Sequence, residues 1–256
     1  MNILCVGDVV GSIGCRHLLQ VLPAVKRTYG VDVCIVNGEN SADGNGITRV
    51  SADAIFDCGA DAITTGNHAF RRPEIYEVID QQNGVLRPGN LPSSAPGSGV
   101  FVVDKGRYRV AVINLLGVVY MESLACPFET LDTLLADPGL PACRIVDFHA
   151  EATAEKKALA YYADGRVSAV VGTHTHVQTA DEQILPNGTA FISDIGMTGP
   201  MDSVLGIRPE NAIAKMKDKL PVRFTVAGGP CMMNAVLLTV DPASGKTTAI
   251  QRLDIR

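Results

Sequence analysis

Basic residues nowhere form a long run in this chain of 256 residues, and 22 Lys+Arg against 27 Asp+Glu leave a formal charge of −5. A protein that holds long duplex nucleic acid carries a basic footprint, so no duplex partner is expected. Long apolar runs are missing too. The stretch from Val110 to Met121 is broken by Asn114 and Gly117 and falls short of the roughly 20 residues that cross a bilayer. No membrane segment is expected. The opening Met1-Asn2-Ile3-Leu4-Cys5-Val6-Gly7-Asp8 puts no basic segment before its apolar run, so it does not read as a signal peptide, and the expected location is the cytoplasm. Seven cysteines, odd in number and without a C-x-x-C pair, exclude a disulfide framework and a thiolate zinc site and read mostly as small buried apolar groups. With 46% apolar and 19% charged residues, disorder is excluded as well.

What remains is a globular α/β pattern. Asn2 to Gly7, Val31 to Asn37, Asp61 to Thr65, Arg144 to Phe148 and Val167 to Val171 read as buried strands. Helical spacing falls between them at about 14–28, 49–58, 72–80, 127–136 and 153–163, with Thr153 as an N-cap. Two hairpins are predicted, one turning at Asp104-Lys105-Gly106 and one at Pro186-Asn187-Gly188. The tail from Val222 to Ile255 predicts two or three further antiparallel strands. No repeat, linker or charge block divides the chain, so one domain over 1–256 with mixed sheets is expected.

Polar residues collect where these strands end: Asp8, then Glu39 and Asn40, then Asn67 and His68, then His149 with Glu151, then His174 and His176. Open α/β sheets bind ligands beyond the carboxyl ends of their strands, so these side chains can share a cleft. Taken singly, each has a plain reading: Asp8 as a turn residue, Glu39 and Asn40 as solvation of the glycine-rich loop, Asn67 as a left-handed turn residue, and His149 as a hydrogen-bonded core histidine. His17, in the first helical segment, reads as a surface residue. His174 and His176 stand out, because i, i+2 spacing in extended chain puts both imidazoles on one side. Four of the five histidines thus mark strand ends, and a metal site explains that better than coincidence.

Imidazole, carboxylate and amide donors without thiolate suit Fe, Mn or Zn. Seven candidates (Asp8, Glu39, Asn40, Asn67, His149, His174, His176) exceed one tetrahedral ion and match two ions sharing a carboxylate. Two divalent ions, two carboxylates and a bridging hydroxide leave about +1, a balance that suits a phosphodiester anion. His68, next to Asn67, then lies beside the ions, where an imidazolium can protonate the departing oxygen; its plain reading is a hydrogen-bonding neighbour of the site.

Gly66-Asn67-His68, the lone His149, and Gly172-Thr173-His174-Thr175-His176 resemble the motifs of the calcineurin-like metallophosphoesterases. The longer strings Gly7-Asp8-Val9-Val10-Gly11, Val36-Asn37-Gly38-Glu39-Asn40, Asp147 to Thr153, Thr173 to Glu182 and Gly196 to Pro200 are similar to the YmdB-like bacterial branch over nearly the whole chain. The resemblance implies a metallophosphoesterase-type four-layer α/β/β/α sandwich with two mixed sheets. It also implies two divalent or mixed-valence transition metal ions, iron or manganese, and hydrolysis of 2′,3′-cyclic nucleotides, opening at the 2′ oxygen, with short RNA-derived phosphodiesters as further partners. Carried over by position, Asp8, Asn40 and His176 hold the first metal and Asn67, His149 and His174 the second, with Glu39 bridging and His68 donating a proton. The chain departs from the wider superfamily at Val10, where a histidine is usual, and at Glu39, where an aspartate is usual. It departs from the branch at Ala69-Phe70-Arg71-Arg72, which leaves Arg71 or Arg72 to meet phosphate or cap the next helix.

Two other readings compete. Gly7, Gly11 and Gly14 after the first strand suggest a Rossmann nucleotide site, but they do not form G-x-G-x-x-G and leave His149, His174 and His176 unemployed. A metal-binding regulatory or scaffold protein with incidental hydrolysis is the third. Oligomeric state, including a homo-oligomer, is left open.

Overall fold

A computed structural model describes residues 1–81 and 84–256. β1 (Asn2–Val6) shows why the chain forms layers. Leu4 and Val6 enter one apolar cluster while Ile3 and Cys5 enter another, so the period-two alternation is apolar on both faces. Such a strand belongs inside a sheet covered twice. It pairs in parallel with β3 (Val33–Asn37), which pairs with β4 (Ala62–Thr64), and antiparallel with β12 (Cys231–Val240). β12 also carries β11 (Met197–Pro200), whose neighbour is β2 (Asp8–Val9), and β13 (Thr247–Ile255). The second sheet runs β5 (Val100–Asp104), β6 (Arg109–Leu116), β7 (Cys143–His149), β8 (Ala169–Thr173), β10 (Ala190–Ile192), β9 (Gln183–Ile184). Both sheets mix parallel and antiparallel pairs.

Three apolar clusters separate four layers. α1 (Gly11–Thr28), α2 (Arg49–Asp57) and α3 (Ile75–Asp80) pack on the first sheet through Leu18, Leu22, Ile55 and Ile79. The facing sheets share Ile35, Val112, Ile145 and Val236. α4 (Pro127–Leu135) and α5 (Thr153–Tyr162) cover the second sheet against Phe148 and Phe191. The expected α/β/β/α sandwich is the fold found, and both predicted hairpins are present.

Several local expectations are corrected. α1 begins at Gly11, whose φ of +63° suits glycine, and α3 only at Ile75, after Pro73. Thr153 is the first helical residue of α5; Ala152 is the N-cap and no side chain caps it. Thr48 does cap α2, accepting from Ser51 N at 3.3 Å while Ser51 Oγ accepts from Thr48 N at 3.0 Å. His17 is half-buried rather than on the surface, with Nε2 enclosed and unpartnered. α6 (Pro209–Asp218) and the short strands β2 and β11 are additional elements, and the tail holds two long strands, β12 and β13. All seven cysteines are free thiols, four of them buried. Among the described residues no helix is long and apolar enough to cross a membrane.

Candidate metal centre

The strands that run parallel in both sheets end on the same side of the sandwich, and the candidate side chains meet there. Asp8 sits in β2, whose register with Met197 of β11 fixes it at the sheet end. Glu39 and Asn40 follow β3, Asn67 and His68 follow β4, His149 ends β7, and His174 and His176 follow β8. Neither of the last two lies in extended chain: φ is +97° at His174 and +62° at His176. Both reach the cluster through a left-handed loop, not through strand alternation. That loop is held by Asp194, which accepts from Thr175 N at 3.0 Å and Thr175 Oγ1 at 2.7 Å and pairs with Lys156 Nζ at 3.0 Å, the Asp194–Lys156 pair being fully buried.

The cluster has two halves joined by Glu39. In one, His176 Nε2 lies 3.5 Å from Asp8 Oδ1 and 3.3 Å from Asn40 Nδ2, and Asn40 Nδ2 lies 3.3 Å from Glu39 Oε1. In the other, His149 Nε2 lies 3.1 Å from Glu39 Oε1, 3.1 Å from Asn67 Oδ1 and 3.0 Å from His174 Nδ1. His68 stands beside both: its backbone N–H donates to Glu39 Oε2 at 3.1 Å, and its Nδ1 is 2.8 Å from Asn40 Oδ1. The structure thus brings together all eight residues singled out from the sequence. Arg72 does not cap the next helix. It donates to the carbonyls of Ala42 and Asn45, on the glycine-rich loop beside the cleft.

Electrostatics follow from burial and proximity. Burial opposes ionisation of Asp8 and Glu39, but the imidazoles of His176 and His149 hold both carboxyls below their ordinary range. Burial disfavours the His149 imidazolium, yet Glu39 and Asp8 outweigh it and raise the group to about 9. Burial lowers His68, against the pull of Glu39. In the second half three lone-pair donors, Glu39 Oε1, Asn67 Oδ1 and His174 Nδ1, crowd one nitrogen of His149. A proton there serves them poorly, whereas a cation satisfies imidazole nitrogen, carboxylate and amide oxygen together. Glu39, His149 and His174 can hold such an ion, with ligand atoms within 4.8 Å of one another. The residues present therefore fit a metal.

A partner that was not read from the sequence stands behind His149. Its Nδ1 is 2.9 Å from Thr173 Oγ1, which donates to Asp147 Oδ1 at 2.6 Å. Asp147 also accepts from Thr64 and from Asn37 Nδ2, and burial pushes its carboxyl up to about 6. This chain keeps the Nδ1 proton of His149 on Thr173 and turns Nε2 toward the cluster. The available signal was an aspartate among the apolar residues Ile145, Val146 and Phe148 of β7, two residues before His149 and on the same face. His174 has a second partner in Glu151, at 3.0 Å from Nε2.

Two facing mixed sheets flanked by helices, with carboxylate, amide and imidazole donors gathered at the strand ends, define the metallophosphoesterase class of fold, which implies divalent metal ions. The family model described as "YmdB-like protein" matches residues 4–253, and the chain belongs to that family. It is 46% identical over 254 residues to a Bacillus subtilis protein named 2′,3′-cyclic-nucleotide 2′-phosphodiesterase, covering 99% of this chain and 96% of that one. Among solved structures, a hypothetical protein from Thermus thermophilus is 37% identical with a TM-score of 0.94, covering 99% of this chain and 98% of the other. A novel phosphatase from Mycoplasma pneumoniae is 33% identical with a TM-score of 0.93, covering 100% and 93%.

Proposed function

We propose that this chain is a metal-dependent phosphodiesterase that hydrolyses 2′,3′-cyclic nucleotides, and short RNA-derived diesters of the same chemistry, at the bond from phosphorus to the 2′ oxygen. In this reading Asp8, Asn40 and His176 would hold one ion and Asn67, His149 and His174 a second, with Glu39 available to both, and the metals would be iron or manganese. Bound there, such ions supply Lewis acidity: a water of lowered pKa and neutralisation of phosphoryl charge. The observation that carries the reading is the approach of His176 to Asp8 at 3.5 Å and of His149 to Glu39 at 3.1 Å, two pairs at the base of one cleft with Asp8, Glu39 and His149 fully enclosed. The chain's near full-length kinship to a protein named for this activity supports the substrate.

The chain's own residues orient and protonate. Thr173 and Asp147 fix the tautomer of His149, and Asp194 fixes the loop that carries His174 and His176. Water adds to phosphorus as the bond to the 2′ oxygen breaks, the departing alkoxide takes a proton from His68, and the proton the water gives up passes to solvent, from which His68 is reprotonated, leaving a 3′-phosphate and a 2′-hydroxyl. His68 Nδ1 is held at Asn40, so Nε2 is the nitrogen free to face the leaving group. One domain over 1–256 suffices, because the two sheets share a common apolar layer.

Assaying 2′,3′-cyclic and 3′,5′-cyclic nucleotides side by side tests this. The 2′,3′ ester is expected to be cleaved, with the 3′-phosphate as sole product; a 2′-phosphate product or exclusive turnover of the 3′,5′ ester would overturn it. His68→Ala is expected to slow the sugar diester by about 10²–10⁴ while costing an activated aryl diester far less, at unchanged metal content. Equal losses would remove the proton-donor role.

A further inference from the structure

The cleft lined by Glu39, Asn40, His68, His174 and His176 continues well past them and encloses about 1030 Å³, the upper end of the roughly 300–1,000 Å³ that small-molecule sites occupy. One wall is a ribbon. Ile207 bridges Val226, Arg208 N donates to Thr225 O at 3.0 Å, and Ala227 N donates to Gly206 O at 2.9 Å. Asn211 Oδ1 locks its outer edge, accepting from Thr225 N at 3.2 Å and Thr225 Oγ1 at 2.7 Å. Its inner edge rests on residues that have no side chain, since a Cβ on Gly44 would lie 2.9 Å from Val226 Cγ2. The ribbon is tied to the cluster as well: Leu205 O is 3.1 Å from His176 Nδ1. It is therefore a fixed wall, and Arg208, Arg223 and Phe224 on it line the cleft together with Arg16 of α1.

These cations exceed what the reaction needs. The arginines that pair with carboxylates among the described residues are Arg72, Arg109, Arg166, Arg252 and Arg256; Arg16, Arg208 and Arg223 are not in that set. Asp43, the other acid lining the cleft besides Glu39, faces Arg72 at 3.8 Å. A cyclic nucleotide brings one negative charge, which the cluster itself meets. Three further guanidinium groups along one cleft, none with a carboxylate partner among the described residues and Arg16 donating only to Ser12 Oγ at 3.4 Å, in a chain of net charge −5, make a local positive field that a single charge does not explain. Guanidinium forks match phosphate oxygens. Phe224, 51% exposed on the same wall, offers a face on which a base can stack.

Building on the proposed function, we propose that the cleft is shaped for a nucleotide carrying a phosphate on its 5′ side in addition to the cyclic ester, with Arg208 and Arg223 on that phosphate and Phe224 against the base. Such a group occurs on a 5′-phosphorylated mononucleotide and at the 3′ end of an RNA strand, and the test separates them.

The experiment measures kcat/KM of the metal-loaded, full-length protein for adenosine 2′,3′-cyclic phosphate, for the same compound bearing a 5′-phosphate, and for a diadenylate ending in the cyclic ester. A 5′-side phosphate is expected to raise kcat/KM by about tenfold or more. The gain should weaken with salt at a slope near −0.7 per phosphate contact. R208A/R223A should bring the ratio of phosphorylated to unphosphorylated substrate to within about threefold, and R208K/R223K, which retains charge without the fork, should recover only part of it. A gain confined to the 5′-phosphorylated mononucleotide supports the smaller ligand, and a gain with the diadenylate supports a strand end. Equal kcat/KM for all three substrates, with the simple cyclic nucleotide still cleaved, overturns the inference and leaves the proposed function standing. Cleavage of none of them removes both.

Discussion

Asp194 illustrates how much of this centre depends on groups that never touch a ligand. It is fully buried, neutralised by Lys156, and grips Thr175 between the two histidines whose backbones are left-handed. Removing Lys156 leaves a buried carboxylate without its cation, a change that costs about 3–5 kcal/mol in comparable sites. Lys156→Met is therefore expected to lower unfolding stability by that order. Asp194→Asn, a milder change, is expected to cut metal occupancy through the loss of the Thr175 clamp, read by elemental analysis and by kcat/KM. Full occupancy in Asp194→Asn would show that the loop holds its shape unaided.

At the scale of elements, the close approach of the β4 turn to β7 sets the site. Gly66 faces the His149 ring with no room for a side chain, since a Cβ there would overlap the imidazole. Gly66→Ala is expected to displace His149 and lower turnover by about 10²-fold or more, with the apolar layers and the circular dichroism of the fold retained. Wild-type turnover in that variant would contradict the packing. The strands and most helices could be read because β1, β3, β6 and β7 are apolar on both faces and α1 carries Leu18, Leu22 and Val25 on one stripe. The elements not foreseen are those whose residues carry little pattern: β2 and β11 are short, and α6 buries only Ala212. The clustering of the candidate site residues was legible because polar groups at the ends of apolar strands are conspicuous. Their mutual geometry was not, since the left-handed loop at His174 to His176 depends on Asp194, some 20 residues away. Likewise Asp147 shows in the sequence only as an acid within a strand, because its role as a partner depends on Thr173, 26 residues away, which donates to it.

On the scale of the whole molecule, the cluster gathers charge that the fold must tolerate. Without metal, burial opposes the His149 imidazolium while Glu39 sustains it, and the group rises from 6.5 to about 9. A folded pKa above the unfolded one stabilises fully below pH 6.5, and that contribution is lost as pH rises through about 9. Chelated protein is expected to lose on the order of 3 kcal/mol of unfolding free energy across this window, as an upper bound. Protein reloaded with manganese should change much less, because the neutral imidazole is then the ligand. Denaturant titrations at pH 6.5 and 9 check this; a flat response of the chelated protein would contradict it.

The central claim is that side chains from both sheets hold a pair of ions. Elemental analysis of freshly purified, full-length protein, followed by turnover of adenosine 2′,3′-cyclic phosphate before and after chelation, tests it most directly. The account predicts close to two iron or manganese ions per chain, activity that disappears with them and returns on their replacement, and reduced occupancy in both Asp8→Ala and His174→Ala. Metal-free protein that keeps full turnover would contradict it.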